Sequence, residues 1–173
     1  MIEAGEALLE RLRDSVSDLG RRAWRPMLLA VADLHARSVH PPRDPFPHPW
    51  EEIGPGYCYG PAFGHWDLMH QVFDVYRADP THARRQLLNL FAVQAPDGFM
   101  PGTVWMREAE PRWGREISHP PVWPLALEAC LRQEADPGLL ATGFDALTRQ
   151  IDWFEANRRS EPEGFYYRDI LTR

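Results

Sequence analysis

Apolar side chains recur along this chain at helical spacing, and two proline-rich stretches interrupt the pattern. In 64–77, Trp66, Met69, Phe73 and Tyr76 share one face while Leu68, Val72 and Val75 form a second, which predicts a helix buried on both sides. In 80–94, Ala83, Leu87, Leu90 and Phe91 lie opposite His82, Arg84, Arg85 and Asn89, the pattern of a helix with one solvent-covered face. The run 121–133 is again almost wholly apolar. The run 137–158 carries Leu140, Phe144, Leu147, Ile151 and Phe154, spaced alternately four and three, as its expected core stripe. Two further helices are expected at about 5–19 and 26–37. No segment alternates convincingly with period two, so the expected fold is all-α.

The prolines mark the connections. Of 17, seven lie between Pro41 and Pro61 and six between Pro96 and Pro124, so 40–63 and 95–120 read as long loops. Pro26, Pro80 and Pro137 instead begin periodic runs, where a fixed φ suits the first helical turn. Asp79 and Asp136 precede the last two and suit N-caps. The tripeptide Ala78-Asp79-Pro80 returns as Ala135-Asp136-Pro137, each time between a two-sided and a one-sided helix. Stacked helical hairpins of one kind belong to an α/α solenoid or toroid. Short Asp-Pro turns then close one end, and the long loops gather at the other.

Composition narrows the chemistry. The 173 residues carry 19 basic and 25 acidic side chains, a net charge of −6, and all the basic residues are arginine. Without lysine there is no P-loop, Schiff-base or kinase lysine. An acidic chain without a basic run is a poor fit for nucleic acid. Cys58 and Cys130 lie far apart and read as two reduced thiols. No stretch approaches the ~20 apolar residues of a membrane span, no signal peptide is evident, and the expected location is the cytoplasm. Seven histidines without paired spacing predict no metal site, and nothing in the sequence calls for a cofactor.

The long loops carry the interesting side chains: Trp50, Tyr57, Tyr59, Phe63, Trp105 and Trp113, with a few carboxylates. Aromatic rings beside carboxylates and amides suit a sugar, whose C–H faces stack while its hydroxyls need polar partners. The same rings can equally pack the loops onto the helix ends. Trp66 and Asp67 sit at a helix start after the approach GPAFGH; Asp67 suits either a ligand or the helix N-terminus. Gln94 continues the inward series Leu87, Leu90, Phe91, and a buried amide needs partners. His119, in SHPP, opens the run 121–133 at the loop end.

The strings FGHWD, ADPTHARRQLLNLFAVQAPDGFMPG, SHPPVWPLALEA and IDWFEANRR together resemble the catalytic domain of glycoside hydrolase family 63, over about Tyr57 to Arg159. The mannosylglycerate and glucosylglycerate hydrolases are the most similar branch, and the trehalases are more distant. The resemblance implies part of an (α/α)6 toroid spanning 1–173, with a sugar pocket at one end. It assigns Trp66, Asp67 and Gln94 to substrate, gives Gly98 to Pro101 a loop-shaping role, and places Trp105 more loosely in the pocket wall. The family usually has Gln before the double proline, so His119 is a departure. The family's enzymes are inverting α-glycosidases with two catalytic carboxylates. The acid belongs to an E-S-G-x-D-like segment that this sequence lacks, and the base lies beyond it. Asp169 stands near the expected acid position without that context, while Asp97, Glu108, Glu110 and Glu116 match no catalyst, so the catalytic residues are unassigned. The expectation is a truncated glycosidase that binds a small α-glucoside or α-mannoside, does not hydrolyse it alone, and self-associates through uncovered helix faces. The alternative is a non-catalytic helical-hairpin module that binds a sugar or a partner protein.

Overall fold

The computed structural model describes residues 1–18, 20–56, 60–107, 109–115, 117–160 and 164–166. Tyr57, Cys58, Tyr59, Glu108, Glu116 and Asp169 lie outside the described residues. The described residues form six α-helices: α1 (Glu3–Asp18), α2 (Arg25–Ser38), α3 (His65–Val75), α4 (Pro80–Ala92), α5 (Trp123–Gln133) and α6 (Pro137–Asn157). Three antiparallel two-stranded ribbons tie the loops down: β1 (Val39–His40) with β2 (Trp50–Glu51), β3 (Ala62–Gly64) with β4 (Thr103–Trp105), and β5 (Arg159–Ser160) with β6 (Gly164–Phe165). The fold is all-α, an arrangement of helical hairpins, with no sheet larger than a ribbon among the described residues.

The recurring Ala-Asp-Pro tripeptide works as its chemistry predicts. Asp79 Oδ1 accepts from the His82 backbone N–H at 3.0 Å, and Asp136 Oδ1 from that of Leu139 at 2.9 Å. Both caps are followed by proline in the first turn of the next helix. The hairpins α3–α4 and α5–α6 pack on one another, and their core joins Leu68, Val72 and Val75 to Leu87, Leu90, Trp123, Ala126 and Ala146, all essentially inaccessible. The Trp123 indole N–H donates to Gln150 Oε1 at 2.7 Å, so this large ring is fixed in orientation as well as buried.

Four expectations about faces are corrected. The polar side of the run 80–94 is only partly bare: Arg85 is exposed, but His82, Gln86 and Asn89 are buried beneath the strap that carries β2. Asn89 Oδ1 accepts from the His48 N–H at 3.1 Å, while Gln86 accepts from the Glu51 N–H at 3.0 Å and donates to the Pro49 carbonyl at 3.0 Å. The run 64–77 is not buried on both sides, since Trp66 and Phe73 are exposed. Nor is 121–133: Leu125 is exposed, and Pro120 and Pro121 precede a helix that begins only at Trp123. In α6 the buried residues are Leu139, Gly143, Ala146, Gln150, Trp153 and Phe154, so Leu140, Phe144 and Ile151 of the four-three stripe point outward and only its end, Phe154, is covered. Tertiary packing favoured small Gly143 and Ala146, which allow the helices to approach closely, over the larger side chains one position away.

Candidate functional site

The start of α3 is organised by the β3–β4 ribbon. Gly64 pairs with Thr103 and Ala62 with Trp105, and the His65 N–H donates to the Gly102 carbonyl at 2.9 Å. Gly102 in turn donates to the Ile117 carbonyl at 3.2 Å, which draws the end of the second long loop onto the same spot. A Cβ at Gly102 would press on the His119 ring, so glycine here permits the imidazole to lie against the backbone. His119 Nδ1 then accepts from the Trp66 backbone N–H at 3.3 Å, supplying a partner to a helix-terminal amide that has none within the helix.

Trp66 and His119 therefore meet at one ribbon–helix junction, with Asp67 in the first turn beside them, while Trp105 pairs with Ala62 at the other end of the ribbon. Trp66 is 41% exposed and its ring is available for stacking. Trp105 and His119 are half-buried, and the Arg107 guanidinium stands over the Trp105 ring. Asp67 makes no hydrogen bond or ion pair among the described residues, so its carboxylate remains available to a ligand. The carboxylate lies over Gly64, where a Cβ would collide with Oδ2. Behind them His65 is buried, with neither ring nitrogen hydrogen-bonded. Burial, and secondarily the nearby His119, push its pKa down to about 3, so the ring is neutral at ordinary pH.

Gln94 behaves differently. Its Nε2 donates to the Gly98 carbonyl at 3.1 Å and to the Ala146 carbonyl at 2.8 Å, bracing the end of α4 against α6. Its buried Oε1 has no partner. The expected inward direction is correct, but none of its bonds reaches Trp66, Asp67 or Trp105. Three cavities, of about 380, 480 and 420 Å³, lie along α3, α5 and α6; none of the five candidate residues lines them. Among the loop rings, Trp50 and Phe63 are core residues that pack with Phe46. Asp97 is held by Arg115 and accepts from the Phe99 N–H at 3.2 Å, which makes it a turn-forming residue.

One polar cluster escaped the sequence reading. Glu51 is fully buried between two imidazoles: His35 Nδ1 lies 2.8 Å from Oε2 and His82 Nε2 lies 2.6 Å from Oε1. His35 Nε2 reaches Asp74 at 3.3 Å. Burial alone would raise the Glu51 pKa, but the hydrogen bonds from His35 and His82 overcome it and hold the pKa at about 2. Burial likewise opposes charge on His35, yet bonds to Asp74 and Glu51 bring its pKa up to about 9. An anion clasped by a cation fixes the strap to α2, α3 and α4. The available signal was the spacing of His82 and Gln86, one turn apart on a helix.

Over residues 61–170 the chain matches the family model described as the mannosylglycerate hydrolase MGH1-like glycoside hydrolase domain, and it belongs to that family. No curated protein matches it.

Proposed function

We propose that this chain supplies the sugar-holding wall of an inverting α-glycosidase site, for a small α-glucoside or α-mannoside such as a glycosylglycerate or a trehalose-like sugar. The observation that carries the reading is the junction at the start of α3: an exposed indole and an unpaired carboxylate side by side, held by a glycine-lined ribbon. In this reading Trp66 stacks on a C–H face of the sugar and Asp67 accepts from its hydroxyls. Trp105 and His119 flank them, with the His119 ring held through its Nδ1 bond to the Trp66 N–H. Gln94 offers Oε1 as an acceptor, its Nε2 protons being committed to Gly98 and Ala146.

Hydrolysis with inversion needs an acid and a base about 6.5–9.5 Å apart across the bond. The reading assigns Asp67 to binding and no residue to the acid or the base, so residues 1–173 are expected to bind without useful turnover. Loss of proper proton transfer forfeits about 10²–10⁴-fold for each group. The test is titration of the purified chain with mannosylglycerate, glucosylglycerate and trehalose, followed by tryptophan fluorescence and calorimetry, alongside hydrolysis assays. Saturable binding that is lost in Asp67→Asn and weakened in Trp66→Ala is expected. Binding unaffected by both substitutions would refute the assignment, and turnover that disappears with Asp67→Asn would refute the expectation of inactivity.

A second reading, a non-catalytic hairpin module, is favoured by one observation: α6 presents Leu140, Phe144 and Ile151 to solvent, and none of these is among the candidate sugar-site residues. We extend the proposal to self-association through that face.

A further inference from the structure

One stripe of α6 has a definite pattern. Leu140, Phe144, Leu147, Ile151 and Phe154 follow the alternating four-three spacing of a coiled-coil seam, with Leu147 half-buried and Phe154 buried at its C-terminal end. Phe144 is 69% exposed, and Leu140 and Ile151 are each about half exposed, whereas a seam of this kind normally lies against another helix. Of the flanking positions, Ala141, Gly143, Thr148, Gln150 and Asn157 carry no charge and Glu155 carries one; in an antiparallel pairing centred on Leu147, Glu155 comes level with Leu139 of the second helix, so it meets no like charge there.

Two cavities sit along the seam and share Leu147. One, of about 380 Å³, is lined by Leu147, Gln150, Ile151, Phe154, Glu155 and the Phe165 and Tyr166 rings of the following ribbon. The other, of about 420 Å³, is lined by Leu140, Gly143, Phe144 and Leu147, with Leu127, Leu131 and the charged pair Glu128 and Arg132 of α5. Holes therefore lie on both sides of Leu147, and a prominent apolar side chain stands beside each.

We propose that α6 is a self-docking surface, on which two copies of this chain pair with their α6 helices antiparallel about a two-fold axis at Leu147. This rests on the self-association reading above and gives it a geometry; it does not depend on sugar binding. With Leu147 on the axis, Gln150, three places on, faces Phe144 of the second copy, three places back. That ring enters the 380 Å³ cavity, and Ile151 of the second copy enters the 420 Å³ cavity. The pairing is isologous, each copy giving and receiving the same knob. Gln150 adds an independent reason: it is buried, its Oε1 is taken by Trp123, and its Nε2 has no partner. An aromatic face delivered there gives that N–H a weak acceptor.

Area sets the expected strength. Leu140, Phe144, Ile151, Phe165 and Tyr166 together expose roughly 500 Å² per copy, taking about 150–250 Å² for each aromatic side chain. A standard interface buries about 800 Å² per partner. The dimer is therefore expected to be reversible, with a dissociation constant on the order of micromolar.

Sedimentation velocity on the full chain between 1 and 200 µM tests association, and cysteine crosslinking tests geometry. Leu147→Cys, on the axis, is expected to form a reducible dimer beyond the wild-type background, and Asp152→Cys, on the outer face, is not. Phe144→Asp is expected to raise the dissociation constant at least tenfold with an unchanged circular dichroism spectrum and melting temperature, because that ring is solvent-exposed in the monomer. A chain that stays monomeric at 200 µM overturns both self-association and the seam. Dimers that survive Phe144→Asp, or that crosslink through Asp152→Cys rather than Leu147→Cys, keep self-association and overturn the α6 seam. Open-ended, polydisperse aggregation overturns it as well.

Discussion

Replacing Glu51 by glutamine should remove one of the two charges, with Asp74 the other, that hold His35 protonated, while nearly preserving shape. In the folded chain the His35 pKa is about 9 against an ordinary 6.5. At ~1.4 kcal/mol per pH unit, that rise corresponds to roughly 3 kcal/mol of stability. Because the folded pKa is raised, the contribution is complete below pH 6.5 and disappears as pH climbs through 9. Glu51 behaves oppositely: its pKa is lowered from 4.5 to about 2, so its contribution is complete above 4.5 and is lost as pH falls through 2. Both describe the same clasp, so the two are not added. The clasp is at full strength between about pH 4.5 and 6.5. The groups facing His35 are Glu51 from the strap and Asp74 from α3, with His82 of α4 on the far side of Glu51. Urea unfolding of wild type should therefore show stability falling by roughly 3 kcal/mol between pH 6 and 9.5. Glu51→Gln should be about 3 kcal/mol less stable at pH 6, as expected when a buried ion pair loses one partner. The variant should also fall less steeply over the same pH range, with only Asp74 left to favour charge on His35. A wild-type profile flat to within about 0.5 kcal/mol, or a variant with the wild-type slope, would show that His35 is not held charged by Glu51.

Three further outcomes are expected. Asp79→Ala and Asp136→Ala each remove an N-cap and should lower stability by about 1 kcal/mol, with Asp79→Ala the more damaging because Arg11 also pairs with that carboxylate; equal losses in urea titrations would deny the Arg11 pair any role. Gly98 has φ +93 and a Cβ there would run into the Arg149 carbonyl, whereas Gly56, at φ +83, faces open space. Gly56→Ala should thus cost about 1–2 kcal/mol from backbone strain alone and Gly98→Ala clearly more, read as a larger drop in melting temperature. Burial pushes the Cys130 thiol up to about 11, so in a Cys58→Ser background it should react with a disulfide reagent at pH 8 only as fast as the chain unfolds; rapid labelling of the native chain would contradict this.

The helices, their order and their caps were legible in the sequence because they depend on local chemistry. Period 3.6, proline's missing amide proton and aspartate's capping oxygen act within a few residues. The family resemblance rests on the same kind of information, ordered strings such as FGHWD and SHPPVWP, and the family match over 61–170 agrees with it. Which face of each helix is covered was not legible, because that depends on segments distant in the chain. His82 and Asn89, with Arg84 and Arg85, read as a solvent face, yet the strap 46–52 closes over the first two. Leu140, Phe144 and Ile151 outweigh Gly143 and Ala146 in hydrophobicity, yet α6 buries the small residues, since close helix approach is a property of two surfaces rather than one. The candidate site divides in the same way. Sequence order identified Trp66, Asp67 and His119, but the β3–β4 ribbon and Gly102 bring the indole and imidazole together, and the turn at Gly98 makes Gln94 a brace between α4 and α6.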